Sequence, residues 1–186
     1  MPLLGDTLPT LATARLRLRH VRASDVDRVE AVFGDPVAMA YWSHDPLPDR
    51  AAAEAYVGQI ERGFANETLY QWVLTEARDD TLIGTVTLAG VDRRHLRAEL
   101  GYMIAPECWR RGYATEAAGA AVQFAFDTLG LHRIEADIHP DNHASRGVLV
   151  RLGFRAEGLR PERWFTGGQW SASELYALLR PVSRAG

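Results

Sequence analysis

The 186-residue sequence contains one cysteine, Cys108, so an internal disulfide is excluded and a reducing compartment is favoured. No apolar run reaches the roughly 18 residues that a membrane helix needs. The net charge of −3 gives no overall basic field to attract nucleic acid. The six histidines and the cysteine show no metal-ligand spacing, so no metal is predicted. Together with an N-terminus that lacks a clear export signal, these absences predict a cytoplasmic protein without membrane or nucleic-acid partners.

What is present is typical of a globular protein. Hydrophobic residues make up 47% of the chain and charged residues 24%. The length fits one domain with a substantial core, and neither repeats nor linkers divide the chain. We therefore expect a single domain over residues 1–186.

Alternating and helical patterns of apolar residues predict the order of the secondary structure. Strands are expected at about 15–19, 70–76, 82–89, 97–104, 132–138, 154–157 and 174–179, and helices at about 25–33, 49–64, 115–129 and 142–152. Short turns join the three middle strands, which should be antiparallel, and the strand–helix–strand step through 115–129 should be a parallel crossover. The prediction is an α/β fold with a mixed, mostly antiparallel central sheet of about seven strands and helices on both faces.

The most informative segment is a turn between a strand and a helix. Gly112 permits a positive φ, and Thr115 begins a helix whose first N–H groups lack internal partners. Arg110 and Arg111 add positive charge, so the turn could bind an anion. Local chemistry leaves open the alternative of a plain corner with exposed arginines. The segment is neither a P-loop nor the three-glycine dinucleotide fingerprint.

Ordered blocks of residues then carry a family resemblance over about residues 13–182. The central run, Trp109-Arg110-Arg111-Gly112-Tyr113-Ala114-Thr115-Glu116-Ala117, resembles the acetyl-CoA motif of the GNAT superfamily of N-acetyltransferases. It is most similar to the branch that contains ribosomal-protein alanine N-acetyltransferases. Further blocks that resemble this branch are Glu99-Leu100-Gly101-Tyr102, Asn142-His143-Ala144-Ser145 and Leu152-Gly153-Phe154.

The resemblance implies acetyl-CoA as co-substrate and a gap between the fourth and fifth strands, which the family splays apart. It implies that Met103 and Ile104 pair with the pantetheine arm, and that a backbone N–H of this pair stabilises the oxyanion. Asn142 would contact the arm. The pyrophosphate would be held by the turn residues Arg110, Arg111, Gly112, Tyr113, Ala114 and Thr115.

Two candidate catalytic residues follow from the same resemblance. Glu99 would accept the amine proton, directly or through water, and Ser145 would protonate the leaving thiolate. The alternatives are that Glu99 only pairs with an arginine and that Ser145 only assists a helix start. The acceptor would meet Tyr41, Trp42, Trp164 and Trp170, which are expected in loops, although each aromatic residue could instead pack in the core.

One departure bears on the substrate. The branch usually carries an acidic residue shortly before the tyrosine of its last strand, where this chain has Ala172 before Tyr176. Glu174 cannot be assumed to replace it. The leading hypothesis is acetylation of a primary amine, such as a protein N-terminus; the alternatives are a small-amine or antibiotic acetyltransferase and a non-catalytic acyl-CoA-binding regulatory domain. Homodimers are common in the branch, so a homodimer is a further expectation.

Overall fold

The computed structural model describes residues 4–181, so residues 1–3 and 182–186 of the predicted domain lie outside the described residues. Within that range the chain forms eight strands and four α-helices. In chain order they are β1 (Leu11–Ala12), β2 (Leu16–His20), α1 (Val26–Phe33), α2 (Arg50–Ala65), β3 (Leu69–Glu76), β4 (Gly84–Asp92), β5 (Arg97–Ile104), α3 (Tyr113–Asp127), β6 (Arg133–Ile138), α4 (His143–Arg151), β7 (Arg155–Thr166) and β8 (Gln169–Leu179).

All eight strands belong to one sheet, in the order β1-β2-β3-β4-β5-β6-β8-β7. Every neighbouring pair is antiparallel except β5 and β6, which are parallel and joined through α3. The predicted mixed, mostly antiparallel sheet is therefore confirmed. The added strand is β1, a two-residue pairing with β2 that is too short to leave a periodic signal.

The parallel pair is joined over a short distance only. Its register covers Arg97 with Arg133, Ala98 with Ile134 and Glu99 with Glu135. Beyond these positions β5 continues to Ile104 and β6 to Ile138 without pairing to each other. The sheet thus opens into a gap between the carboxyl ends of β5 and β6, as the resemblance implied.

Helices cover the two faces of the sheet and divide the core into two clusters. On one face, α3 presents the fully buried alanines Ala117, Ala118, Ala121 and Ala125, which let the helix lie close to the strands. On the other face, α1 and α2 pack side chains such as Phe33 and Ile60 against β3 and the end of β5. Because successive side chains of a strand point to opposite faces, each position of β5 and β6 belongs to one side.

The last two strands differ most from the prediction. The short strands at 154–157 and 174–179, joined by a loop, are instead parts of a long hairpin of β7 and β8. Gly167 and Gly168 form its two-residue turn with φ of 57° and 77°, the positive values that a type I′ turn requires. Trp164 and Trp170 consequently lie on strands rather than in a loop.

Helix starts also show how local chemistry sets the boundaries. The Asp49 side chain caps α2 as predicted, accepting a hydrogen bond from Ala52 N at 2.9 Å. Helix α3 begins at Tyr113, two residues before the predicted start, because Gly112 takes a left-handed conformation and serves as the N-cap.

Among residues 4–181, no helix combines the length and apolar character that crossing a bilayer would demand.

Candidate functional site

A cavity of about 100 Å³ opens at the gap between β5 and β6. Six residues singled out from the sequence line it: Tyr41, Trp42, Glu99, Asn142, Ser145 and Trp164. They come from the segment between α1 and α2, from β5, from α4 and from β7, so the fold brings distant parts of the chain together. Trp170 is not among the lining residues. It is 62% exposed and stacks at a tilt on Phe165, 5.1 Å away, near the end of the hairpin.

The turn before α3 presents a set of unpaired backbone donors. Arg110 and Gly112 both have positive φ, 61° and 79°, and this alternation curls the N–H groups into a concave nest. Within residues 4–181, no backbone or side-chain acceptor pairs with the N–H groups of residues 110–115. The first helical bond runs from Glu116 N to Gly112 O at 3.2 Å. The turn therefore has the geometry of an anion-binding nest.

An arginine that sequence reasoning missed lies beside this nest. Arg15 Nη1 donates to Arg111 O at 2.8 Å, and Arg15 Nε donates to Glu116 Oε2 at 2.7 Å. Its guanidinium lies 4.9 Å from the centre of the Tyr113 ring. The side chain of Arg111, by contrast, extends towards Glu76, 3.4 Å away. Since Arg15 is about a hundred residues away in sequence, no local pattern could have indicated this contact.

The backbone of β5 determines which groups face the gap. The carbonyl of Leu96 accepts from Arg133 N of β6, and that of Ile104 accepts from Trp109 Nε1 at 2.7 Å. Because the backbone groups of successive residues in a strand point in opposite directions, those of Leu100 and Tyr102 also point towards β6 and the gap. Met103 faces β4, since a Cβ built on Gly84 would lie 2.2 Å from the Met103 carbonyl oxygen. The predicted pairing edge is thus wrong for Met103, and Tyr102 takes its place beside Ile104.

Glu99 is the last residue of β5 that pairs with β6, and it lies on the α1 and α2 face of the sheet. Its side chain is exposed to solvent, but the walls of the cavity desolvate the carboxyl and raise its pKa, and the nearby Asp137 carboxylate raises it further. Arg163 and Arg160 oppose this rise. Among the described residues, Glu99 forms no ion pair and no side-chain hydrogen bond. The alternative that it is held by an arginine partner is therefore not what the structure shows.

Ser145 and Tyr102 form a hydroxyl pair on the opposite face. Their oxygen atoms lie 2.7 Å apart, and the Tyr102 hydroxyl also donates to Ser145 O at 3.2 Å. Burial raises the pKa of Tyr102 to about 12, so its phenol remains protonated at neutral pH. Asn142 is the N-cap of α4, its side-chain oxygen accepting from Ser145 N at 3.0 Å. Sequence reasoning reached Tyr102 only as part of the Glu99-Leu100-Gly101-Tyr102 motif, because its hydroxyl partner Ser145 is 43 residues away in sequence.

Glu174, the acidic residue of β8, does not line the cavity. Its Oε2 accepts from Arg146 Nη2 at 2.9 Å and from the Tyr176 hydroxyl at 3.3 Å. Its pairing with Ile138 places it on the α3 and α4 face, opposite the face of Glu99. A carboxylate that does lie on the Glu99 face is Asp137, which lines the cavity and was not predicted.

Comparison with known families and proteins agrees with this geometry. Residues 15–155 match the family described as acetyltransferase (GNAT) domain. The chain is 30% identical to YoaA, an uncharacterised N-acetyltransferase of Bacillus subtilis, over 93% of this chain and 98% of that protein. It is 29% identical to the ribosomal protein uS5-alanine N-acetyltransferase of Escherichia coli, over 92% of this chain and 91% of that enzyme.

A solved structure shows the same fold at lower identity. The spermidine N-acetyltransferase of Vibrio cholerae, crystallised with CoA and spermine, superimposes with a TM-score of 0.80. The match covers 90% of this chain and 96% of that one, at 24% sequence identity.

Proposed function

The chain belongs to the acetyltransferase (GNAT) family, and we propose that it transfers an acetyl group from acetyl-CoA to a primary amine by direct attack in a ternary complex. Acetyl-CoA-dependent acyl transfer is common to the family and to the named N-acetyltransferase relatives. The observation that carries the finer proposal is the cavity in the parted sheet. It has a carboxylate, Glu99, on one face and a hydroxyl pair on the other.

The nest before α3 fits the pyrophosphate of the co-substrate. The six N–H groups at residues 110–115, which have no acceptor among residues 4–181, and the start of a 15-residue helix provide donors for a dianion. We assign phosphate binding to Arg110, Arg111, Gly112, Tyr113, Ala114 and Thr115, with Arg15 as an added cation. The edge of β5 at Tyr102 and Ile104 would pair with the pantetheine arm, and Asn142 lies at the cavity to contact it.

Bound acetyl-CoA supplies an acyl carbon and a thiolate leaving group. Glu99 would take the proton that the amine must lose before it attacks, and its raised pKa brings it closer to the operating pH, as a base requires. A gap-facing backbone N–H of β5, at Tyr102 or Ile104, would stabilise the negative charge that develops on the acyl oxygen. Ser145, held by Tyr102, would return a proton to sulfur.

Direct attack is favoured over a covalent acyl-enzyme. A thiol nucleophile has to ionise, and burial raises the pKa of the Cys108 thiol. Cys108 is the one cysteine of the sequence, and it does not line the cavity. The serine at the cavity is hydrogen-bonded to a tyrosine, which is no base for activating it.

The relatives point to two acceptor classes. One acetylates an alanine of ribosomal protein uS5, and another is a spermidine acetyltransferase. We propose a primary amine at the wall formed by Tyr41, Trp42 and Trp164, with a protein N-terminus as the leading acceptor and a small amine as the alternative. A single domain, a cytoplasmic location and a homodimer remain predictions, the last of which light scattering at micromolar concentration tests.

A thiol-release assay combined with calorimetry tests the proposal. Acetyl-CoA should bind, and free CoA should appear only when an amine from a panel of N-terminal peptides and aliphatic amines is added. The sequence contains no lysine, so acetylation of the enzyme's own ε-amines cannot produce a false signal. Binding without release for every amine would favour a regulatory acyl-CoA-binding domain, and no binding at all would refute both functions.

A further inference from the structure

The carboxylate of Asp137 is only half satisfied. Its side chain is 3% exposed, and its Oδ2 accepts from Arg160 Nη1 at 2.9 Å and from Arg163 Nε at 3.3 Å. Its Oδ1 is buried and accepts no hydrogen bond from any residue in the described range 4–181. An unpaired carboxylate oxygen in the interior is costly, which is why such groups nearly always have a donor. Asp137 also lines the cavity, so a donor bound there would reach Oδ1 once the carboxyl turns this buried atom towards the opening.

The strand register places this oxygen beside the opening. Asp137 lies two residues beyond Glu135, the partner of Glu99, and so on the same face of the sheet. Gly101 lies two residues beyond Glu99 on β5, so Gly101 and Asp137 lie on opposite sides of the opening, and both line the cavity. A Cβ built on Gly101 would be 3.9 Å from Thr87 Cβ, an ordinary contact, so packing within the sheet does not require glycine there. The missing side chain leaves space in the cavity that Asp137 also lines.

We propose that Asp137 Oδ1 binds the nitrogen of the acceptor amine, in the space left by Gly101, and that the acceptor head carries a single ammonium group. This inference rests on the proposed acetyl transfer and adds to it the residue that positions the nucleophile. The amine enters protonated, gives one proton to Glu99 and keeps an N–H directed at Oδ1. The N–C bond to the acyl carbon then forms as the C–S bond breaks, and the second proton that the nitrogen loses passes through Ser145 or water to the thiolate.

The charges around the cavity argue for a monocation. Glu99 and Asp137 supply two negative charges, and Arg160 and Arg163 supply two positive charges that reach the same carboxylate. Glu135, also on this face, is paired with Arg133 at 2.7 Å. Glu99, Asp137 and the two arginines together carry no net negative charge that would attract a polyamine with several ammonium groups. The aromatic wall of Trp42 and Trp164 suits one cationic head.

Opposite effects of two substitutions test the binding role. Asp137→Asn should raise the KM for the amine by at least about tenfold while leaving the affinity for acetyl-CoA within about twofold. Arg160→Gln should lower the KM for the amine, because it removes a positive charge that competes for Asp137. If both substitutions raise the KM equally, Asp137 only anchors the arginines and the proposal is wrong. Asp127→Asn, at an exposed carboxylate on α3 that pairs loosely with Arg180, is the matched control.

A second variant keeps the test decisive if Asp137→Asn does not fold. Gly101→Ala should fold, because the fold tolerates its Cβ, and should raise the KM for the amine about tenfold by filling the site. Calorimetric titration of the amine into the enzyme–CoA complex gives a readout independent of turnover. An unchanged amine affinity in Gly101→Ala would overturn the placement.

The acceptor class is tested with an alanyl peptide and spermidine. We expect the higher kcat/KM for the peptide, and a clear preference for spermidine would refute the monocation argument. Failure of the proposed function itself has a different signature: the unmodified protein would release no CoA with any amine.

Discussion

Replacing Gly112 by alanine separates cofactor binding from fold stability. Gly112 and Gly130 both have positive φ, 79° and 67°, and flank α3 at its two ends. A left-handed alanine costs about 1–2 kcal/mol, of which about 0.4–1 kcal/mol is offset by the restricted unfolded chain. Neither site forbids the methyl group: its nearest neighbour at 112 is Arg15 Nη2 at 3.5 Å, and the space at 130 is open. Each variant should lose about 1 kcal/mol of stability, or roughly 3 °C in Tm for a chain of this length.

The two variants should differ in their affinity for acetyl-CoA. At Gly112 the positive φ on which the nest depends becomes strained and the added methyl group contacts Arg15, so the Kd should rise by about tenfold. Gly130→Ala should bind acetyl-CoA normally. Thermal denaturation without ligand and calorimetric titration with acetyl-CoA give the two quantities. Equal affinities in the two variants would refute the idea that the turn before α3 holds the pyrophosphate.

Four further substitutions examine the base, the hydroxyl pair and the fold. Glu99→Gln should lower kcat by about a hundredfold and remove the loss of rate that occurs as pH falls through the raised pKa of Glu99; an unchanged pH–rate profile would exclude Glu99 as the base. Tyr102→Phe and Ser145→Ala should each lower kcat by a few-fold to about tenfold at constant acetyl-CoA affinity, and full activity of the alanine variant would exclude Ser145 as the acid. Asp25→Asn should cost about 3 kcal/mol in urea unfolding, since Asp25 and Arg19 form a buried ion pair at 2.7 Å; a loss below about 1 kcal/mol would contradict this.

The fold was predictable where the signal is local. Periodicity located all four helices and seven of the strands, because burial of one face imposes the period of 2 or 3.6 directly on the sequence. The side-chain cap of Asp49 was equally local. The hairpin of β7 and β8 was underestimated because its residues are mostly exposed and show no clean alternation. The Gly167-Gly168 pair, which is typical of a two-residue turn, was the available signal.

The site was predictable only as far as a motif reached. Gly112, Glu99 and Ser145 came from runs of residues next to one another in sequence. Asp137 and Arg15 have no such signature, because each acquires its role from strand register or from a contact across about a hundred residues. The mistake at Met103 has the same origin. A shift of one residue reverses which way a strand's backbone groups point, and only the pairing partner fixes that choice.

Strand alternation also explains how one sheet could bring two reactants together. Ala98, Leu100, Tyr102 and Ile104 pack towards α3 and α4, the helices that carry the nest and Ser145. Glu99, Gly101 and Asp137 belong to the other face, where the aromatic segment before α2 lies. In a closed sheet these faces would never meet. Because β5 and β6 part just after Glu99, a thioester that enters from the first face comes within reach of an amine held on the second. In the proposed mechanism, the break in pairing after position 99, more than any single side chain, therefore determines where acyl transfer takes place.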